Sequence, residues 1–177
     1  MDRLFGHRWI TLKYAVKYGR RGGFVDDLRR IRGLLIEVQN VIRDSGHLTE
    51  VLRRDWFDEA PDVDQVFQVT LQGHAVSAWH VHLNTTDRLF VNSGQVKVVL
   101  YDARSGSDTH GLVNEFRLGE RRPGLVIVPP GVWHGLKNLR AEEGLVLNLV
   151  DCAYEYEYED PDHWRLPADT AEIPYRL

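Results

Sequence analysis

Four side chains able to carry a proton or hold a metal ion stand in two short segments. His80 and His82 lie in Trp79-His80-Val81-His82-Leu83, with Asp87 following Asn84-Thr85-Thr86, and His134 lies in Pro129-Pro130-Gly131-Val132-Trp133-His134-Gly135-Leu136-Lys137-Asn138. Successive side chains of a strand alternate faces, so His80 and His82, two residues apart, point the same way. Asp87 starts the next strand after a short turn and can return to that face. The Pro-Pro-Gly stretch makes a tight, rigid turn that delivers His134 to a fixed place. Two chemistries suit such a convergence. Imidazoles and a carboxylate together accept a divalent transition metal (Zn, Fe, Mn or Ni), with His80, His82, Asp87 and His134 as its ligands. The same groups suit metal-free proton transfer, because imidazole titrates near neutral pH.

The elements that must position these residues read as β from residue 34 onward. Strands are expected at 35–42, 47–52, 66–71, 76–83, 89–92, 95–101, 116–118, 125–128, 135–138 and 145–150, punctuated by Gly, Pro, Asn and Asp. Many short strands at regular spacing indicate a sandwich or barrel. No helical stretch long enough for a parallel crossover separates them, which argues against Rossmann and (β/α)8 folds. Residues 1–33 form a separate extension, with a short helix expected at 24–32 and Gly33 stopping it. The remainder, 34–177, is one domain. Tyr154-Glu155-Tyr156-Glu157-Tyr158-Glu159 alternates at period two, which sets three tyrosines on one side of an extended segment, as an edge or as a pocket wall. Trp79 and Trp133 are expected in the core. His74, His110 and His163 read as surface or loop residues, and Cys152, inside an apolar run, as a small buried residue.

Composition bounds the rest. The chain has 177 residues, 22 Lys and Arg against 26 Asp and Glu, and a net charge of −4. That balance, with the arginine pairs scattered, excludes a nucleic-acid footprint. The single cysteine excludes an intrachain disulfide framework and favours a reducing compartment. No run approaches a membrane span, and the start of the chain lacks the apolar stretch of a signal peptide, so a cytoplasmic location is expected.

The spacing His80-x-His82, four residues, Asp87, six residues, Gly94 resembles the first motif of the cupins, with Asp for the usual Glu. Pro129 to Asn138 resembles the second motif. The resemblance implies an all-β cupin double-stranded β-helix, or jelly roll, with a short N-terminal extension. Within the cupins the chain is similar to the dTDP-4-dehydrorhamnose 3,5-epimerase family from about Leu35 to the C-terminus. The similarity rests on Asp44-Ser45-Gly46-His47-Leu48-Thr49-Glu50, on Leu100 to Gly111, and on Pro129 to Gly135.

That resemblance implies a catalytic base at His80, a second site histidine at His134 and a substrate-facing tyrosine at Tyr154. It places the aspartate that pairs with the base loosely on Asp169. Departures are visible too. The family's arginine three residues before the base is Ser77, its enolate-binding lysine falls on Asp87 or Arg88, and its proton-donating tyrosine falls near Asn148. Three readings follow. In the first, an epimerase or isomerase of a nucleotide-activated 4-keto-6-deoxy sugar works without cofactor. His80 and Asp169 are catalytic, and His82, Arg88, His134, Asn148 and Tyr154 bind substrate. The second is a metal-dependent cupin enzyme. The third is a sugar-binding cupin without catalysis. The family also implies a homodimer, with residues 1–33 as a candidate exchange arm.

Overall fold

A computed structural model describes residues 35–57, 62–154 and 162–177. The expected helix at 24–32, the extension at 1–33, and Tyr156 and Tyr158 lie outside the described residues.

The described residues form strands β1 (Leu35–Glu37), β2 (Asn40–Arg43), β3 (Gly46–Thr49), β4 (Gln65–Leu71), β5 (Val76–His82), β6 (Asp87–Ser93), β7 (Gln95–Asp102), β8 (Val113–Gly119), β9 (Gly124–Val128), β10 (Val132–Asn138), β11 (Gly144–Val150) and β12 (His163–Arg165), with one 3-10 turn at Arg54–Trp56. They pair antiparallel in two five-stranded sheets, β1-β9-β6-β11-β4 and β12-β5-β10-β7-β8, and a separate β2–β3 hairpin. This is the expected cupin jelly roll. Each expected strand is present, usually longer by a residue or two. The stretch 35–42 is broken after Glu37, where the Val38 N–H leaves the strand to donate to the Pro123 carbonyl at 3.2 Å. β12 and the 3-10 turn were not anticipated.

Period-two alternation explains the layers. Leu89 and Val91 of β6, Val126 and Val128 of β9 and Val146 of β11 face Val96, Val98 and Leu100 of β7 and Val132 and Leu136 of β10. These side chains bury the inner faces of both sheets, and their removal from water is the main driving term for the fold. The opposite parity covers the outside. Phe90, Leu125 and Leu149 lie under Ile36, Val38, Val51, Leu52 and Phe57. Trp79, fully buried as expected, lies with Val99 under the C-terminal residues Leu166, Ile173, Tyr175 and Leu177.

Gly135 is needed under that C-terminal cover. A Cβ there would stand 2.8 Å from the Ala78 Cβ and 2.6 Å from a Leu177 methyl. The Gly135→Ala variant is therefore expected to lose about 1–3 kcal/mol through overpacking, read from the midpoint of urea unfolding.

Two irregularities position the site. β10 pairs with β5 in the register His134↔His80 and Leu136↔Ser77, so β5 holds one extra residue between those pairs. The bulge returns Ser77 to the inward face that His80 occupies. At the start of β10, Gly131 has φ +76° and its N–H donates to the His82 carbonyl at 2.7 Å. Only glycine adopts that backbone readily. The Pro-Pro-Gly turn is thereby tied to the strand that carries the other two histidines.

Candidate active site

Where the apolar core ends, the inward faces of β5, β6, β10, β11 and β12 present polar side chains. His80 and His82 of β5 share the inward face with His134 of β10, as the spacing requires. His163, on β12, pairs with His82 in register and joins them. The four rings lie close together: His82 to His163 4.5 Å between centroids at 20°, His80 to His163 5.2 Å, His80 to His134 5.8 Å, and His82 to His134 6.0 Å.

Both ring nitrogens of His80 are engaged. Its Nε2 lies 3.0 Å from Ser77 Oγ, and its Nδ1 lies 3.0 Å from His163 Nε2. His163 Nδ1 in turn lies 2.6 Å from the Tyr154 hydroxyl. Tyr154 sits edge-on to Phe67 with centroids 6.4 Å apart, and its backbone N–H donates to the Gln65 side-chain oxygen at 3.0 Å. Burial, and then the neighbouring His134, His163, Arg165 and His82, push His80 down from the ordinary imidazole range to about 3. Burial likewise lowers His134, against the opposing pull of Asp87. Both rings are therefore neutral at neutral pH, the form in which imidazole can accept a proton.

Asp87 is 2% exposed and bridges the other two histidines: its Oδ2 lies 3.8 Å from His82 Nε2 and 3.7 Å from His134 Nε2. Its Oδ1 accepts a 2.6 Å hydrogen bond from the Asn148 side chain, whose own oxygen accepts from the Arg88 backbone N–H. Asp162 approaches the far side of His82, Oδ2 to Nδ1 3.6 Å. Its carboxylate also accepts hydrogen bonds from the backbone N–H groups of Asn84 and Thr85. Among the described residues, the set that could coordinate a cation is His82, Asp87 and His134, whose ligand atoms lie within 4.8 Å of one another. His80, the fourth member suggested by the sequence, stands outside it, with its nitrogens turned to Ser77 and His163.

Several expected residues fall elsewhere. Arg88 alternates with Asp87 and so projects to the opposite face of β6, where it is buried beside Asp151, Nη2 to Oδ2 3.5 Å. It cannot steady an enolate on the histidine face. Asn148 does point inward, but its side chain clamps Asp87. Asp169 is exposed and its backbone carbonyl accepts from Arg176 Nη1. The partner of His80 is His163 instead. Reading His163 as a surface residue missed this, because its three-residue strand is separated by 80 positions from β5 and carries no periodic signal. The spacing His163-Trp164-Arg165, a second alternating pair like that at 80–82, was the available clue. Among the described residues, Arg165 brings a cation to this face, its Nε donating to His163 Nε2 at 3.4 Å. Cys152, expected to be buried, is exposed just beyond the end of β11.

The sequence pattern of the dTDP-4-dehydrorhamnose 3,5-epimerase family matches residues 29–173. A probable low-salt glycan biosynthesis epimerase of Haloferax volcanii, Agl13, is 36% identical over 125 residues, 70% of this chain and 79% of that one. The spore coat polysaccharide biosynthesis protein SpsL of Bacillus subtilis is 34% identical over 100 residues, 56% of this chain and 65% of its own. Among solved structures, a dTDP sugar isomerase from Desulfovibrio desulfuricans superposes with a TM-score of 0.74 at 27% identity, covering 81% of this chain and 89% of that one. A family match over most of the chain, a relative more than 30% identical over 70% of it and a jelly roll of the same shape agree: the chain belongs to the dTDP-4-dehydrorhamnose 3,5-epimerase family.

Proposed function

We propose that the protein is a sugar-nucleotide epimerase that removes the proton beside the ketone of a nucleotide-activated 4-keto-6-deoxy sugar, with His80 as the base. The observation that carries this reading is the placement of His80: an imidazole on the inward face, held at one nitrogen by His163 and at the other by a small hydroxyl that a substrate can displace. A C–H bond next to a carbonyl loses its proton to such a base while the electron pair moves to the ketone oxygen. Among the described residues, Arg165 supplies a positive charge beside His80, which favours the anionic enolate, the role that Arg88 cannot fill from the other face. His82, His134 and Tyr154 are the substrate's polar and aromatic contacts, and Asn148 acts through Asp87, which holds the two histidines.

No resident cofactor is required for this chemistry. The three donors His82, Asp87 and His134 also fit the edge of a metal site, so the test must address a cation. Hydrogen exchange from D2O into a dTDP-4-keto-6-deoxyhexose, followed by NMR, is expected at C3, at C5 or at both. Absence of exchange at both positions leaves a sugar-binding protein. Elemental analysis of protein purified without chelator is expected to find no stoichiometric transition metal. A full equivalent that disappears in His82→Ala overturns the cofactor-free reading.

The protein is further proposed to act in the cytoplasm as a homodimer. The lone cysteine supports the reducing compartment, and no helix among the described residues is long and apolar enough to cross a membrane. The β2–β3 hairpin supports association, since it leaves Val41, Ile42 and Leu48 40% or more exposed. Sedimentation equilibrium is expected to give twice the chain mass.

A further inference from the structure

We propose that Tyr154, His163 and His80 form one proton relay whose direction is set by Arg165, making His163 the positioning residue of the base and Tyr154 the outlet of the relay. The inference deepens the epimerase reading and, in its kinetic part, rests on it.

The direction follows from what each group is able to donate. A guanidinium has only donors, so where Arg165 Nε–H points at His163 Nε2, that nitrogen carries a lone pair. His80 Nδ1, 3.0 Å from the same nitrogen, must then be the donor. With its proton on Nδ1, the neutral His80 has its lone pair on Nε2, where the Ser77 hydroxyl donates in the resting state. His163, unprotonated on Nε2, carries its own proton on Nδ1 and donates it to the Tyr154 oxygen at 2.6 Å. These four hydrogen bonds are thereby assigned, and the assignment leaves the basic lone pair on the nitrogen of His80 that does not face His163.

The step balances. The substrate C–H bond breaks, its electron pair becomes the enolate, and the proton bonds to His80 Nε2. The Nδ1 proton of His80 passes to His163 Nε2, which gives up its hydrogen bond from Arg165, the Nδ1 proton of His163 passes to the Tyr154 oxygen, and the original Tyr154 hydroxyl proton passes on towards solvent. Each ring remains neutral at the end. A lasting imidazolium, costly beside Arg165 and among three other imidazoles, is avoided. A proton from solvent then closes the carbon. When product leaves, the Nε2 proton of His80 is released to entering water and the chain runs back. An aspartate beside the base would stabilise an imidazolium by its charge. A second histidine instead removes the charge by passing a proton on.

The test has two arms. Nitrogen-15 NMR of histidine-labelled protein needs no substrate and reads the tautomer directly. Wild type is expected to show His80 protonated on Nδ1, and His163→Phe, which keeps a ring stacked on His82, to revert to the Nε2 form. A resting Nε2 tautomer in wild type overturns the relay whatever the protein catalyses. In the kinetic arm, His163→Phe is expected to lower kcat about 100-fold, within the usual span for proton-transfer groups, with KM changed less than about threefold. Tyr154→Phe is expected to cost at least about tenfold, and the double variant to be no slower than His163→Phe alone, because one interrupted chain cannot be interrupted twice. Multiplying effects in the double variant overturn the relay. A silent wild type in the exchange assay, with the Nδ1 tautomer present, overturns the epimerase reading and leaves the chain of hydrogen bonds standing.

Discussion

Replacing His80 with alanine is expected to lower deuterium exchange beside the ketone of a dTDP-4-keto-6-deoxyhexose by about 10³-fold, near the middle of the range for loss of a general base. The size of the effect follows from the surroundings. His82 is fixed between Asp87 and Asp162, and His134 faces Asp87, so neither ring is free to swing into the vacated place. Binding of dTDP, followed by calorimetry, is expected to change by less than about threefold, because dTDP lacks the sugar that carries the reacting carbon; a loss confined to kcat marks a group that acts in the transition state. Loss of binding in step with loss of exchange would instead assign His80 to substrate holding. The neutral state of His80 matters here. Because burial has moved the ring down to about 3, lowering the pH from 8 to 6 is expected to leave exchange nearly unchanged, whereas an ordinary imidazole base would titrate across that interval.

How far the sequence exposed this site depends on which physical signal each residue carries. His80 and His82 were legible because alternation in a strand is a local property: two residues apart means one face. His134 was legible because Pro-Pro-Gly restricts the backbone before it. The same alternation rule, applied to Asp87 and Arg88, shows that adjacent residues cannot both face the site, and Asp87 wins because Leu89 and Val91 share its parity and belong to the core. What sequence could not supply was the partner of His80. His163 reaches His80 only through the pairing of β12 with β5, a contact between residues 83 positions apart. Nothing local in a three-residue strand specifies such a pairing. Ser77 was hidden for a related reason, since without the bulge in β5 a residue three positions before His80 would point outward. The jelly roll itself was readable nearly strand for strand, because strands β4 to β11 each have a face in the core and are bounded by turn residues.

The site also depends on a residue that touches none of the histidines. Asp102 ends β7, pairs in register with Val132 and is fully buried. Its carboxylate accepts hydrogen bonds from Arg104 N, Nε and Nη2 at 3.0, 2.9 and 2.8 Å, from Ser107 Oγ at 2.7 Å and from Thr109 Oγ1 at 2.6 Å. Arg104, held in this way, packs against Gly131, and its Nη1 reaches the Pro130 carbonyl at 3.4 Å. The turn that delivers His134 therefore leans on the Asp102 cluster. Asp102→Ala leaves two hydroxyls without their acceptor and frees a guanidinium that is already partly in water, and is expected to cost about 3 kcal/mol in urea unfolding, the upper end for buried donors left without a partner. Asp102→Asn keeps the shape but loses the charge and is expected to cost about 1.5–3 kcal/mol. Burial alone would raise the Asp102 carboxyl, but the hydrogen bonds from Arg104, Thr109 and Ser107 outweigh it and hold the group well below the ordinary carboxylate range. With the folded value depressed, the stabilisation is fully present above the unfolded value of about 3.9 and is lost as the pH falls through the folded one. The gap between wild type and Asp102→Asn should therefore be constant from neutral pH down to about 5 and narrow below about 4, because only the wild type has a carboxylate left to protonate. A gap of equal size at pH 3 and pH 7 would mean that the cluster holds the turn by shape alone.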